Sequence, residues 1–225
     1  MRFQGFYNIK LSYFSVVGIQ SNFIFIVLSF LAIVSKYTSP NTSYRLFKLL
    51  PILLLIIWVA NFGDIQGNPY TRAILAGLCF SFIGDSLLLF PAQFKSGLFS
   101  FLIGHIWYML GFLSGDWSLP ILPTLIITIL ALGMFSQLYP TSGKLKIPVL
   151  VYIFMIAGMG ITSFGRLEAL QIFPTLVGAI GASLFMISDG LLGWNKFKNP
   201  FHLAEGIILI TYYSGQWMIF YSTLM

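Results

Sequence analysis

An all-α, polytopic transmembrane bundle of eight helices is the fold class this chain predicts. Three observations carry it. Hydrophobic residues make up 58% of the sequence and charged residues 8%, at a mean hydropathy of +0.90, which excludes an ordinary soluble domain. The apolar residues gather into runs near the ~20 residues a spanning helix needs. Those runs are continuous and lack the polar alternation of membrane strands, so helices rather than a barrel satisfy the backbone in lipid.

The first helix is expected near 13–35; its Gln20, Ser21 and Asn22 and the lack of a small-residue cleavage site mark it as a retained span rather than a removed leader. The second, near 46–62, carries Lys48 three residues ahead of Pro51, and the third, near 70–90, carries Cys79 and Asp85. As the sole cysteine, Cys79 excludes an internal disulfide. The fourth, near 95–114, sets Gly97, Phe101 and His105 at steps of four with Tyr108 three further on, one face of a helix. Plain apolar runs near 119–138 and 145–164 give the fifth and sixth. The seventh, near 173–194, holds Ser188 and Asp189; the eighth, near 203–223, holds Tyr212, Tyr213 and Gln216. The connections are short, and residues 1–225 read as one integral membrane domain.

The net charge of +6 is scattered through the loops and forms no tract suited to nucleic acid, so the expected partner is the lipid bilayer. Arg2, Lys10, Arg72 and Arg166 fall on one side, and Lys36, Arg45, Lys48, Lys95, Lys144, Lys146, Lys196 and Lys198 on the other. The positive-inside rule makes the second side cytoplasmic and both termini non-cytoplasmic. Few charged loops and no eukaryotic sorting tail point to a bacterial inner membrane. The oligomeric state leaves no trace in the sequence.

Asp85 and Asp189 are the first candidates for function, because a charge within hydrocarbon costs at least ~2.5 kcal/mol on insertion scales. Both lie on helices running in one direction, each about five residues before the expected cytoplasmic end. A shift of 104 residues superposes Gly77 on Gly181, Asp85 on Asp189 and Tyr108 on Tyr212, a hint of a four-plus-four parallel repeat that would set the carboxylates face to face. His105 is the one histidine deep in an apolar run, where a neutral ring bonded to a neighbouring helix is as ordinary as a functional one. Tyr212, Tyr213 and Gln216 form a mid-depth polar cluster that a simple anchor would not carry, and a structural network suits it as well as substrate contact.

Taken together, Lys48-x-x-Pro51, Ser81-x-x-Gly84-Asp85-x-x-Leu88, Phe94-x-x-Gly97-x-x-x-Phe101-x-x-x-His105-x-x-Tyr108, Gly181-Ala182-x-x-Phe185-x-x-Ser188-Asp189 and Thr211-Tyr212-Tyr213-x-x-Gln216 resemble the YhhN-like lysoplasmalogenases over about residues 45–220. The resemblance implies an eight-helix membrane hydrolase that cleaves the vinyl ether bond of lysoplasmalogen, or of a related lysolipid, to a fatty aldehyde and a glycerophospho-head group. No cofactor and no metal is expected.

That chemistry suits the residues. Protonation of the alkene carbon leaves an oxocarbenium ion that water traps, and two carboxyls in unequal environments divide such work in glycoside hydrolysis. Asp85 is assigned as acid and Asp189 as stabiliser and base, a reversible assignment. His105 and Tyr108 orient Asp85 or the water, with Ser188 and Gln216 beside them. Tyr212 and Tyr213 hold the ether or glycerol oxygen, and Lys48 meets the phosphate. Zinc chemistry is short of histidines, a Gly-x-Ser-x-Gly elbow is lacking, and no phosphate-cradling glycine loop is present. A proton- or cation-coupled transporter or lipid flippase built on the same aspartates stays open as the alternative.

Overall fold

Eight α-helices follow one another in a computed structural model that describes residues 20–38 and 42–224. They are α1 (Gln20–Thr38), α2 (Thr42–Phe62), α3 (Pro69–Leu88), α4 (Phe94–Phe112), α5 (Ile121–Leu138), α6 (Lys146–Leu170), α7 (Phe173–Phe197) and α8 (Ala204–Tyr221). The all-helical expectation holds in number and order. Residues 13–19 of the expected first helix lie outside the described residues.

Among the described residues, five segments are long and apolar enough to cross a membrane by length and composition: Ser43–Phe62, Pro69–Leu88, Ile121–Leu138, Gly143–Leu170 and Phe173–Phe197. α4 and α8 are of similar length but are diluted by the polar residues that matter later, His105 and Tyr108 on one, Tyr212, Tyr213 and Gln216 on the other. α6 runs six residues past its expected end. Thr162 and Ser163 return their hydroxyls to carbonyls of the preceding turn, so neither breaks the helix, which stops only where Gln171 takes a left-handed conformation (φ 49°).

The chain divides into two compact units, 1–51 and 52–225, with the division at Pro51 inside α2. In the first, Phe25, Ala32, Tyr44 and Lys48 are buried, and the Lys36 ammonium sits 4.8 Å from the centre of the Tyr44 ring.

The second unit is built from two tight hairpins. On α3 and α4, small residues let the backbones close: a Cβ on Gly84 would stand 2.6 Å from the Phe101 ring, and one on Gly104 would stand 3.3 Å from the Gly77 carbonyl. Ser100 donates to the Phe80 carbonyl across the pair at 2.6 Å. α7 and α8 meet at Gly181 and Gly215, each of whose absent Cβ would lie 2.8 Å from the other's carbonyl oxygen. α6 packs between α4 and α7, and α5 leans on α6 with only Ile127 and Leu138 buried. The positions superposed by the 104-residue shift are therefore used differently, since Gly77 receives the Tyr108 ring and Gly181 receives backbone.

At the end formed by the starts of α3 and α7, Arg166 donates to the Ser114 carbonyl, lies 4.4 Å over the Tyr70 ring, and Tyr70 pairs with Ser222 at 2.6 Å. The opposite end carries Lys95, Lys144, Lys146, Lys196 and Lys198, two of them laid over Phe94 and Trp194 at 4.6 Å.

Candidate active site

Asp85 lies three residues before the end of α3, and the buried Tyr212 of α8 donates to its Oδ2 at 2.6 Å. Asp189 lies eight residues before the end of α7, and its Oδ2 accepts from the Tyr152 hydroxyl at 2.9 Å. Next to Asp189, Ser188 donates to the Ile208 carbonyl at 2.9 Å, one turn of α8 before Tyr212. Both carboxyl-bearing helices thus meet α8 within about 6 Å of axial rise. Tyr152 is within electrostatic reach of Asp189 and of Asp85.

His105 faces Asp189 rather than Asp85. Its Nε2 stands 3.2 Å from Asp189 Oδ2, with the ring fully buried, and its Nδ1 stands 2.7 Å from the Phe101 carbonyl oxygen. The Nε2 contact is close but lacks the alignment of a finished hydrogen bond, since by geometry Nε2 has no partner. The two groups face each other with the His105 ring fully buried and Asp189 nearly so. The Tyr108 hydroxyl donates to Gln216 Oε1 at 2.6 Å and is 3.5 Å from Ser81 Oγ. The amide nitrogen of Gln216 is buried without a partner and lies within reach of Tyr212. Tyr213 is buried with its ring 5.4 Å from that of Tyr212. Lys48 belongs to the first unit.

Phe185 of α7 forms the wall between these groups. Its ring centre lies 4.9 Å from His105, 5.3 Å from Tyr212, 6.1 Å from Tyr108 and 6.3 Å from Phe101. The result is two acids, each held by a phenol, with an imidazole on one of them and an aromatic lining that suits a cation better than water does. Among the described residues no group of three or more His, Cys, Asp or Glu side chains gathers as metal ligands would. A cleft of ≈ 440 Å³ lined by Leu167, Glu168, Gln171, Ile172, Phe173 and Leu176 sits at the α6–α7 turn and includes neither aspartate.

Sequence reasoning missed Tyr152 and the role of Phe185. Tyr152 stands alone in the apolar stretch 147–157, well away from the interface where membrane tyrosines collect, and that depth was the available signal.

The family model of the YhhN family matches residues 43–223. The chain is 32% identical over 190 residues to lysoplasmalogenase TMEM86A of Bos taurus, covering 81% of this chain and 78% of that one. It is 31% identical over 187 residues to human lysoplasmalogenase TMEM86B, covering 80% and 74%. An uncharacterized membrane protein YhhN of Escherichia coli O157:H7 is 28% identical over 211 residues, covering 88% and 96%. No solved structure matches.

Proposed function

The chain belongs to the YhhN family, and on that premise we propose that it is a membrane hydrolase that cleaves the vinyl ether bond of a lysoplasmalogen, releasing a fatty aldehyde and a glycerophospho-alcohol. The observation that carries the reading is the pair of buried carboxyls, Asp85 and Asp189, each bound to a tyrosine hydroxyl and set around one aromatic wall. Vinyl ether hydrolysis needs a positioned acid, a partner for an oxocarbenium ion and a base for water, and two acids with different neighbours supply all three.

Lys95 and Lys196 support an orientation for the substrate. Glycerol separates phosphorus from the ether oxygen by five bonds, roughly 6 Å at ordinary bond lengths. Lys196 follows Asp189 by seven residues, about 10 Å along α7, and its stem can close the remainder. The head group then faces the lysine-rich end, and the alkenyl chain runs from the aspartates toward lipid. Lys95 and Lys196 share the unit that holds the acids, and Lys48, in the first unit, is a further cation proposed for the phosphate. The lysine-rich end is cytoplasmic by the positive-inside rule.

The test is aldehyde release by purified protein in detergent with lysoplasmalogen as the only added organic compound. Wild type should produce aldehyde, and Asp85→Asn and Asp189→Asn should each lose at least about a hundredfold, the usual scale of acid–base contributions. Gradient-driven uptake into vesicles without aldehyde would replace this reading with transport.

A further inference from the structure

The geometry points to Asp189 and His105 as a single proton-carrying unit, the acid of the reaction, with Tyr152 as its positioning residue. This rests on the hydrolase reading and gives the acid role to the carboxyl opposite to the one chosen from sequence.

The inference begins at Nδ1 of His105, 2.7 Å from the Phe101 carbonyl oxygen. A carbonyl only accepts, so Nδ1 carries a hydrogen, and in a neutral ring Nε2 is then a bare lone pair. That lone pair would face an acceptor oxygen of Asp189 at 3.2 Å, with side-chain exposures of 0% and 6%. Two bare acceptors at that distance without water between them repel. One proton on the pair removes the conflict, whether written as carboxylic acid beside imidazole or as carboxylate beside imidazolium. The bent approach holds that proton less firmly than an aligned bond would, which suits a donor.

Tyr152 fixes both partners. Its hydroxyl donates to the same Oδ2, its ring meets the His105 ring edge-on at 5.4 Å and 82°, and Asp189 Oδ1 is left without a bond among the described residues. The carboxyl is thereby held with Oδ2 at the histidine, and the proton shared by Oδ2 and Nε2 is the one the unit donates. Asp85 likewise accepts from a phenol, that of Tyr212, but the imidazole stands on Asp189, which leaves Asp85 as the acid that stays ionised.

The proton cycle closes. The unit gives its proton to the outer alkene carbon, whose π pair becomes the new C–H bond while an ether oxygen lone pair forms the oxocarbenium. Water adds to the ether-bearing carbon, the cationic end of the former double bond, and gives a proton to Asp85. Asp85 returns it to the glycerol oxygen as the C–O bond breaks, and the unit takes the hemiacetal hydroxyl proton as the aldehyde forms. Both acids end as they began, and one water is consumed.

Nitrogen-15 magnetic resonance of histidine-labelled protein tests the unit without any substrate. There are two histidines, and the exposed His202 serves as the reference. His105 should show a protonated Nδ1, the less common tautomer, and its Nε2 resonance should move in Asp189→Asn and stay near its wild-type position in Asp85→Asn. In the hydrolysis assay Tyr152→Phe should lower kcat about tenfold and leave KM within about twofold, a split that a purely structural loss would not produce. A bare Nδ1, an Nε2 resonance indifferent to Asp189→Asn, or an unchanged kcat in Tyr152→Phe overturns the unit. Absence of aldehyde from the wild type overturns the hydrolase reading and the acid role with it, whereas a bare Nδ1 in an aldehyde-releasing enzyme overturns the unit alone.

Discussion

Replacing Gly77 with alanine places a methyl group where the Tyr108 ring now lies. The new Cβ would stand 2.3 Å from Tyr108 Cε1 and 2.5 Å from Cδ1, against 3.4 Å for ordinary contact, so the ring must retreat by about 1.1 Å. It has nowhere cheap to go, because Tyr108 is fully buried against Phe185. A shift of that size along the bond would stretch the 2.6 Å link to Gln216 to about 3.7 Å, beyond hydrogen-bonding distance. Overpacking costs ~1–3 kcal/mol and a broken buried hydrogen bond ~1–2 kcal/mol, so the substitution should destabilise by ~2–5 kcal/mol. For a chain of this size that corresponds to a fall in Tm of roughly 5–15 °C, read from tryptophan fluorescence in detergent. Tyr108→Phe already lacks the hydroxyl, so the double variant should lose about 1 kcal/mol less than the sum of the single ones. A Tm within about 1 °C of wild type for Gly77→Ala, or strict additivity in the double variant, would refute the packing argument.

Two further outcomes follow from the site. Tyr212→Phe keeps the ring and removes the donor to Asp85; since a hydrogen bond to a charged group is worth ~1.5–3 kcal/mol, kcat/KM for aldehyde release should fall by roughly 10–100-fold, and a change under about twofold would remove Tyr212 from the mechanism. Lys196→Ala should weaken the preference for a phosphate-bearing alkenylglycerol over its phosphate-free counterpart by up to about fivefold, the modest effect of a solvent-exposed cation, acting on KM; equal losses on both substrates would count against the head-group orientation.

The helices were legible because apolar length is a strong signal, and the acids were legible because hydrocarbon makes them costly. Their partners were harder to read. The spacing of Gly97, Phe101, His105 and Tyr108 gave one face of α4 but not what that face meets. Phe101 fills the gap at Gly84, and His105, one turn on, is turned to Asp189 and Tyr152 instead of the nearer-in-sequence Asp85. In a bundle where every face is apolar, periodicity carries little information about which helix lies opposite. The end of α6 was missed because its Thr and Ser hydroxyls are absorbed by their own helix, while polar residues read from sequence look like a boundary.

The hydrogen bond from Tyr212 to Asp85 joins the last helix to the third, 127 residues apart in the chain. During biogenesis Asp85 therefore enters the bilayer long before that partner has been translated, and until α8 arrives the growing chain bears an acid in hydrocarbon without its phenol. Such a chain can lower the cost by lingering at the insertion machinery or by taking up a proton. Arrival of the C-terminal hairpin thus brings the phenol of Tyr212 to Asp85 in the same step that delivers Asp189.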